Sequence, residues 1–231
     1  MEAIAKERVT LNVFGPELPF MFKVSGEAKD FAWSDLIAQG DVGVGTISQG
    51  AGEVIGVGGA FYVADAADPK PRPVSNEMTP SGVVITFTPQ EKLRLAGPLD
   101  LAGLQDALDK KFVDTGTFVY VFKAHAMLSY VEYQLSGPRP TREVKEGIKS
   151  GNSQKAVTIG TSKYKARNIA ATLVGIRAPA YLNMVFEIPY HIHFIADDKS
   201  VLGHITALKA ADLEIEWART AELKVRYWNL K

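Results

Sequence analysis

Residues 189 to 204 read PYHIHFIADDKSVLGH and hold three of the four histidines in this 231-residue chain. On an extended strand the side chains at i and i+2 point to the same face, so His191 and His193 project together while Ile192 and Phe194 pack behind them. The polar run ADDKS predicts a turn centred on Asp198 and Lys199. That register sets His204 opposite His193, with directly opposed Cβ atoms about 4.5–5.5 Å apart. A lone H-x-H on a strand is ordinarily a solvent-facing pair; a third imidazole in register turns it into a ligand set. Three imidazoles with one open position is the donor count of catalytic zinc, whereas structural zinc closes its shell with four protein ligands. Nickel, iron and manganese also accept three imidazoles, and zinc is the commonest occupant. His125, in FKAHAML, has no such company and reads as structural or exposed.

The elements that must position this hairpin are mostly strands. Short alternating or β-rich runs recur along the chain: ERVTLNVF, GVVITFTP, TFVYVFKAH, YVEYQL, IAATLVGI, MVFEI, YHIHFIA, HITALK, LEIEW and ELKVRYWNL, most of them separated by Gly, Pro, Asp or Ser clusters. Two helices are predicted. LDLAGLQDALDKKF, 99 to 112, carries Asp100 as its cap and leucines at 101, 104 and 108; AWSDLIAQG, 32 to 40, ends at Gly40. The polar stretch 137 to 155 divides the chain into an N-terminal α+β sheet part, 1 to 136, and a C-terminal β part, 156 to 231, that carries the histidine hairpin. The glycine-dense segment from Gly40 to Val63 lacks a Lys-Ser/Thr ending and a strand-to-helix switch, so it does not read as a phosphate cradle. The fold class is therefore α+β, with mostly antiparallel or mixed sheets in two packed parts and few helices.

Composition narrows the chemistry. Lys plus Arg and Asp plus Glu both number 26, which argues against nucleic acid or an anionic membrane as a partner. With no cysteine, thiolate zinc clusters and cysteine nucleophiles are excluded, leaving histidine and carboxylate as the strong ligands. No apolar h-region follows a basic start and no 18-residue apolar run occurs, so the expectation is a cytoplasmic protein that does not span a membrane.

The ordered segments VGIRAPAY, PYHIHFIADDK and LGH resemble the acetolactate decarboxylases, whose characteristic stretch reads approximately V-G-F-x-x-P-x-Y, G-Y-H-x-H-F-I and G-G-H. Upstream, GDVGVGTI, AGE and GAFY stand where that family has G-D-F-G-x-G-T, D-G-E and G-x-F-Y, and the likeness runs from roughly residue 30 to roughly 225. The resemblance implies a zinc enzyme that removes carbon dioxide from 2-acetolactate through a metal-stabilised enediolate to give acetoin. It implies His191, His193 and His204 as metal ligands, Glu53 as the acid–base group or substrate anchor, and a homodimer.

Three departures stand beside the likeness. Ala51 replaces the aspartate of D-G-E. Gln134 falls where the family carries an arginine for the substrate carboxylate, which exchanges a charge-assisted contact of about 1.5–3 kcal/mol for a neutral amide. The family's C-terminal tail, with its glutamate, has no counterpart up to Lys231, and Arg177 and Glu187 are the candidates to supply the missing charges. The expected substrate is a small oxo or hydroxy acid: 2-acetolactate or a related β-oxo acid. The alternatives are a zinc-dependent lyase, isomerase or hydrolase acting on a different metabolite, or a non-catalytic metal-binding module.

Overall fold

The computed structural model describes residues 9–14, 31–47, 51–75, 77–79, 81–138, 149, 159–182 and 189–226. Its strands are β1 (Thr10–Phe14), β2 (Phe31–Ala32), β3 (Val42–Ile47), β4 (Ala51–Val57), β5 (Ala60–Ala64), β6 (Arg72–Pro73), β7 (Met78–Thr79), β8 (Gly82–Ile85), β9 (Glu91–Leu95), β10 (Leu99–Asp100), β11 (Tyr120–Pro138), β12 (Ile159–Ala166), β13 (Ile169–Arg177), β14 (Tyr190–Ala196), β15 (Leu202–Arg219) and β16 (Glu222–Arg226). Among the described residues, helices α1 (Trp33–Ile37) and α2 (Leu101–Asp109) accompany them. The carboxylate of Asp100 accepts the Gly103 N–H at 2.8 Å and caps α2, whose Leu104 and Leu108 are buried. The predicted helix at 99 to 112 is shorter than its sequence pattern because Leu99 and Asp100 pair with Ala210 and Lys209 as a strand. No helix among the described residues is long and apolar enough to cross a membrane.

The strands form two main sheets. In the first, the order is β16-β1-β8-β3-β4-β5-β6, antiparallel except for the parallel β16–β1 pair. In the second, β11 pairs β13 over its first half and β12 over its second, while its other edge pairs β15. Because β13 also pairs β14, and β14 pairs the start of β15, the β11, β13, β14 and β15 pairings close into a ring. Bulges between His125 and Met127, Leu128 and Tyr130, and Glu132 and Tyr133 accompany the long β11–β15 ladder, and such irregularities bend and twist strands.

Strand alternation decides which residues meet. Along β4, Val54 joins Trp33, Leu36 and Phe61 under α1, whereas Ile55 joins the larger core shared by the two sheets with Leu11, Val44, Phe122, Leu173 and Ile192. Most of the described residues of the glycine-dense segment lie in strands β3, β4 and β5. At Gly56 an added Cβ would lie 2.1 Å from Cε1 of the Phe61 ring, so glycine is what lets this aromatic cover β4.

The two sheets do not coincide with the segments 1 to 136 and 156 to 231. Strands β9, β10 and β11 belong to the sheet of the hairpin, and β16 returns to lie beside β1. A polar stretch marks where apolar content drops, but long-range backbone pairing is indifferent to it. The strand expected at MVFEI, with Glu187, and nearly all of the 137 to 155 connection lie outside the described residues.

Substituting Gly56→Ala should lower unfolding free energy by about 1–3 kcal/mol, the usual cost of forcing extra volume into a packed site. Urea unfolding measures it, and an unchanged midpoint would show that the Phe61 ring does not need the space.

Candidate metal centre

The expected hairpin forms as β14 and β15. The Ala196 N–H donates to Val201 at 2.9 Å, the Lys199 N–H to Ala196 at 2.9 Å, and Lys199 takes φ 58° at the turn. His193 is the direct partner of His204, and strand parity brings His191 to the same face. The three rings gather with centroids 4.8 Å apart for His191 and His193, 4.7 Å for His191 and His204, and 5.4 Å for His193 and His204. One ring nitrogen from each falls within 4.8 Å of the others.

His193 is 1% exposed and His204 8%. The Nδ1–H of His193 donates to the Val54 carbonyl at 2.8 Å, which leaves Nε2 as the lone-pair atom, 2.8 Å from Nε2 of His191. Burial pushes the His193 imidazole well below its ordinary pKa, and the neighbouring His191 and His204 push it the same way. A neutral imidazole with its outer N–H anchored on a carbonyl is the arrangement of a metal-ligating histidine. At 2.8 Å the two Nε2 atoms need either a proton of His191 or a cation between them. The donor set therefore fits a divalent transition metal such as zinc.

Glu53 comes from the other sheet. Ile47 pairs with Ala51 and Gly45 with Val54, so Thr46 alone stands opposite Gly52 and Glu53, and Gly52 has φ 77°. This is a bulge with glycine in the left-handed region, a device that bends a strand and re-aims its side chains. Glu53 is 7% exposed, and its Oε2 lies 3.4 Å from His193 Nε2. Its Oε1 accepts the Ser136 hydroxyl at 2.8 Å and the Ser136 N–H at 3.2 Å. Taken alone, a glutamate in a glycine-rich segment reads as a solvated charge; the strand and the opposing sheet bury this one. Sequence reading missed Ser136 and the Val54 carbonyl. Strand parity places Ser136 on the face of Gln134, but no local signal shows that β4 crosses there.

Gln134 pairs with His204 on one side and with Lys163 on the other, so its half-buried side chain shares the face of the histidines. Arg177 is a correction. It pairs with Tyr190, one residue out of phase with His191, and so projects from the opposite face. There its Nε donates to Asp109 Oδ1 at 3.1 Å and its Nη1 to the Thr115 carbonyl. The Tyr190 hydroxyl donates to the same carboxylate oxygen at 2.8 Å, and burial raises the phenol's pKa, with Asp109 adding to the rise. Arg177 thus ties the end of α2 to the sheet rather than facing the histidines. His125 is exposed and lies 2.9 Å from Asp197.

Residues 25–229 match the model of the alpha-acetolactate decarboxylase family. The alpha-acetolactate decarboxylase of Methanosarcina mazei is 34% identical over 184 residues, covering 79% of this chain and 59% of the relative. That of Brevibacillus brevis is 29% identical over 197 residues, covering 85% of this chain and 66% of the relative. The chain thus spans 59% and 66% of the lengths of these two relatives. The crystal structure of alpha-acetolactate decarboxylase from Bacillus subtilis strain 168 shares the fold, with a TM-score of 0.79, 20% identity, and coverage of 96% of this chain and 90% of that one. A Staphylococcus aureus protein described as similar to alpha-acetolactate decarboxylase superposes with a TM-score of 0.80 at 16% identity, over 94% of this chain and 89% of that one.

Calorimetric titration with zinc at neutral pH should show one site per chain. The affinity should fall as pH drops through the imidazole range, because protons compete for the ring nitrogens. His193→Ala should weaken binding more than the tenfold to hundredfold typical of losing an outer hydrogen-bond partner. Stoichiometric binding that survives this substitution would place the ion elsewhere.

Proposed function

We propose, from the premise that the chain belongs to the alpha-acetolactate decarboxylase family, that it is a metal-dependent carboxy-lyase releasing carbon dioxide from 2-acetolactate or a closely related 2-hydroxy-3-oxo acid. The observation that carries this reading is the meeting of half-buried His191 and buried His193 and His204 with the Glu53 carboxylate, whose Oε2 is 3.4 Å from His193 Nε2. The three histidines would hold the ion, with zinc the expected occupant. When bound, it supplies Lewis-acid stabilisation of the negative charge left on substrate oxygen as carbon dioxide departs.

The protein groups do the remaining work. Glu53 presents Oε2 toward the trio; after taking up a proton from solvent it delivers that proton to the substrate carbon in place of the departing carbon dioxide. The buried His193 and His204 keep water scarce on their side of the site, which strengthens electrostatic stabilisation of the developing charge. Gln134, beside His204, offers its amide N–H to the substrate carboxylate. The resemblance supports an enzyme that gives acetoin and works as a pair of copies.

A second reading is a metal-dependent lyase acting on another oxygenated acid. It is favoured by the neutral Gln134 directly beside His204, together with the diversion of Arg177 to the opposite face of the sheet.

Metal-loaded protein incubated with racemic 2-acetolactate should release acetoin, and chelation should stop it. Glu53→Gln should reduce kcat about a hundred- to ten-thousandfold, the usual contribution of a positioned acid or base. Turnover of a different oxo acid with none of 2-acetolactate would select the second reading. Full activity of the Gln variant would remove Glu53 from the chemistry.

A further inference from the structure

We propose that Ser136 is a positioning residue for Glu53: it fixes one carboxylate oxygen so that the other is turned toward the imidazole trio. This rests on the role given to Glu53 above.

The β11–β15 ladder ends at the Gln134–His204 pair. Two residues further along β11, Ser136 has no ladder partner on that side among the described residues. Groups from the first sheet take it over: the Ala66 N–H donates to the Ser136 carbonyl at 3.1 Å, and Glu53 Oε1 accepts the Ser136 N–H at 3.2 Å. The carboxylate thus stands in for the missing strand partner, since a buried N–H without an acceptor is costly. The two segments come close here, for a Cβ added at Gly137 would lie 2.7 Å from the Ala66 Cβ.

The Ser136 hydroxyl adds a second donor to the same oxygen at 2.8 Å, and it also lies 3.1 Å from the Gly52 carbonyl. Ser136 is 7% exposed, so water does not readily replace either contact. Two donors from one residue resist rotation of the carboxylate about its terminal bond, which otherwise has a broad, soft torsion. Fixing Oε1 in this way sets the direction of Oε2, 3.4 Å from His193 Nε2. The N–H alone would anchor the oxygen at one point; the hydroxyl makes the anchor directional.

The test compares Ser136→Ala, which keeps the N–H and loses the hydroxyl, with Ser136→Thr, which keeps both. Crystal structures should show the Glu53 carboxylate turned away from His193 in the Ala protein and in place in the Thr protein, with the three histidines unmoved in both. With metal-loaded enzyme and 2-acetolactate, kcat should fall about ten- to hundredfold for Ala, the weight of a hydrogen bond to a charged group. KM should change little, and Thr should restore kcat. A carboxylate in its original orientation in the Ala protein overturns the proposal, as does a loss of rate that Thr does not rescue. If Glu53→Gln is itself fully active, the chemistry assigned to Glu53 fails, while the crystal comparison still decides whether Ser136 holds it.

Discussion

The hydrogen bond from His193 Nδ1 to the carbonyl of Val54 is where the two sheets and the donor set become one object. It spans from β14 in one sheet to β4 in the other. It selects the tautomer that leaves Nε2 facing its neighbours, and it does so inside a site where His193 is 1% exposed. A buried imidazole without this bond would carry an unmet donor, so the packing of the sheets and the chemical state of the ligand are settled together.

The same economy of polar groups runs through the rest of the site. Burying two imidazoles and a carboxylate is unfavourable unless they find partners, and for His193 and Glu53 backbone groups of the facing sheet provide them. Val54 contributes a carbonyl to His193, and Ser136 an N–H to Glu53 just past the end of the β11–β15 ladder. The bulge at Gly52 and Glu53 belongs to this pattern, because it puts an acidic side chain among residues that otherwise form apolar core. Two of the site's contacts thus arise at irregularities, the bulge in β4 and the end of the β11–β15 ladder.

The histidine hairpin was legible because its logic is local. The i, i+2 spacing of His191 and His193 and the polar turn at 197 to 200 are enough to predict that His204 lies opposite His193, and the two are paired so. The cap of α2 by Asp100 was legible for the same reason. Arg177 was misread because its phase relative to His191 depends on pairing across β13 and β14, which sets it beside Tyr190 instead. The division at 137 to 155 did not anticipate that β11 would join the hairpin's sheet, since strand pairing over such distances leaves no mark in composition. The glycine-dense segment gave no hint of its strands, because glycine erases the alternation that betrays a sheet.

By itself the sequence determined the donor type, the turn and the facing of the three imidazoles, along with the predominance of strands, because side-chain parity and turn propensity act over a few residues. Only the tertiary structure decided that Glu53 is buried against His193, that Ser136 and Val54 hold the two groups, and that Arg177 turns away. Those outcomes depend on the registry between strands far apart in the chain and on how two sheets stack, and both are set by the packing of the whole core.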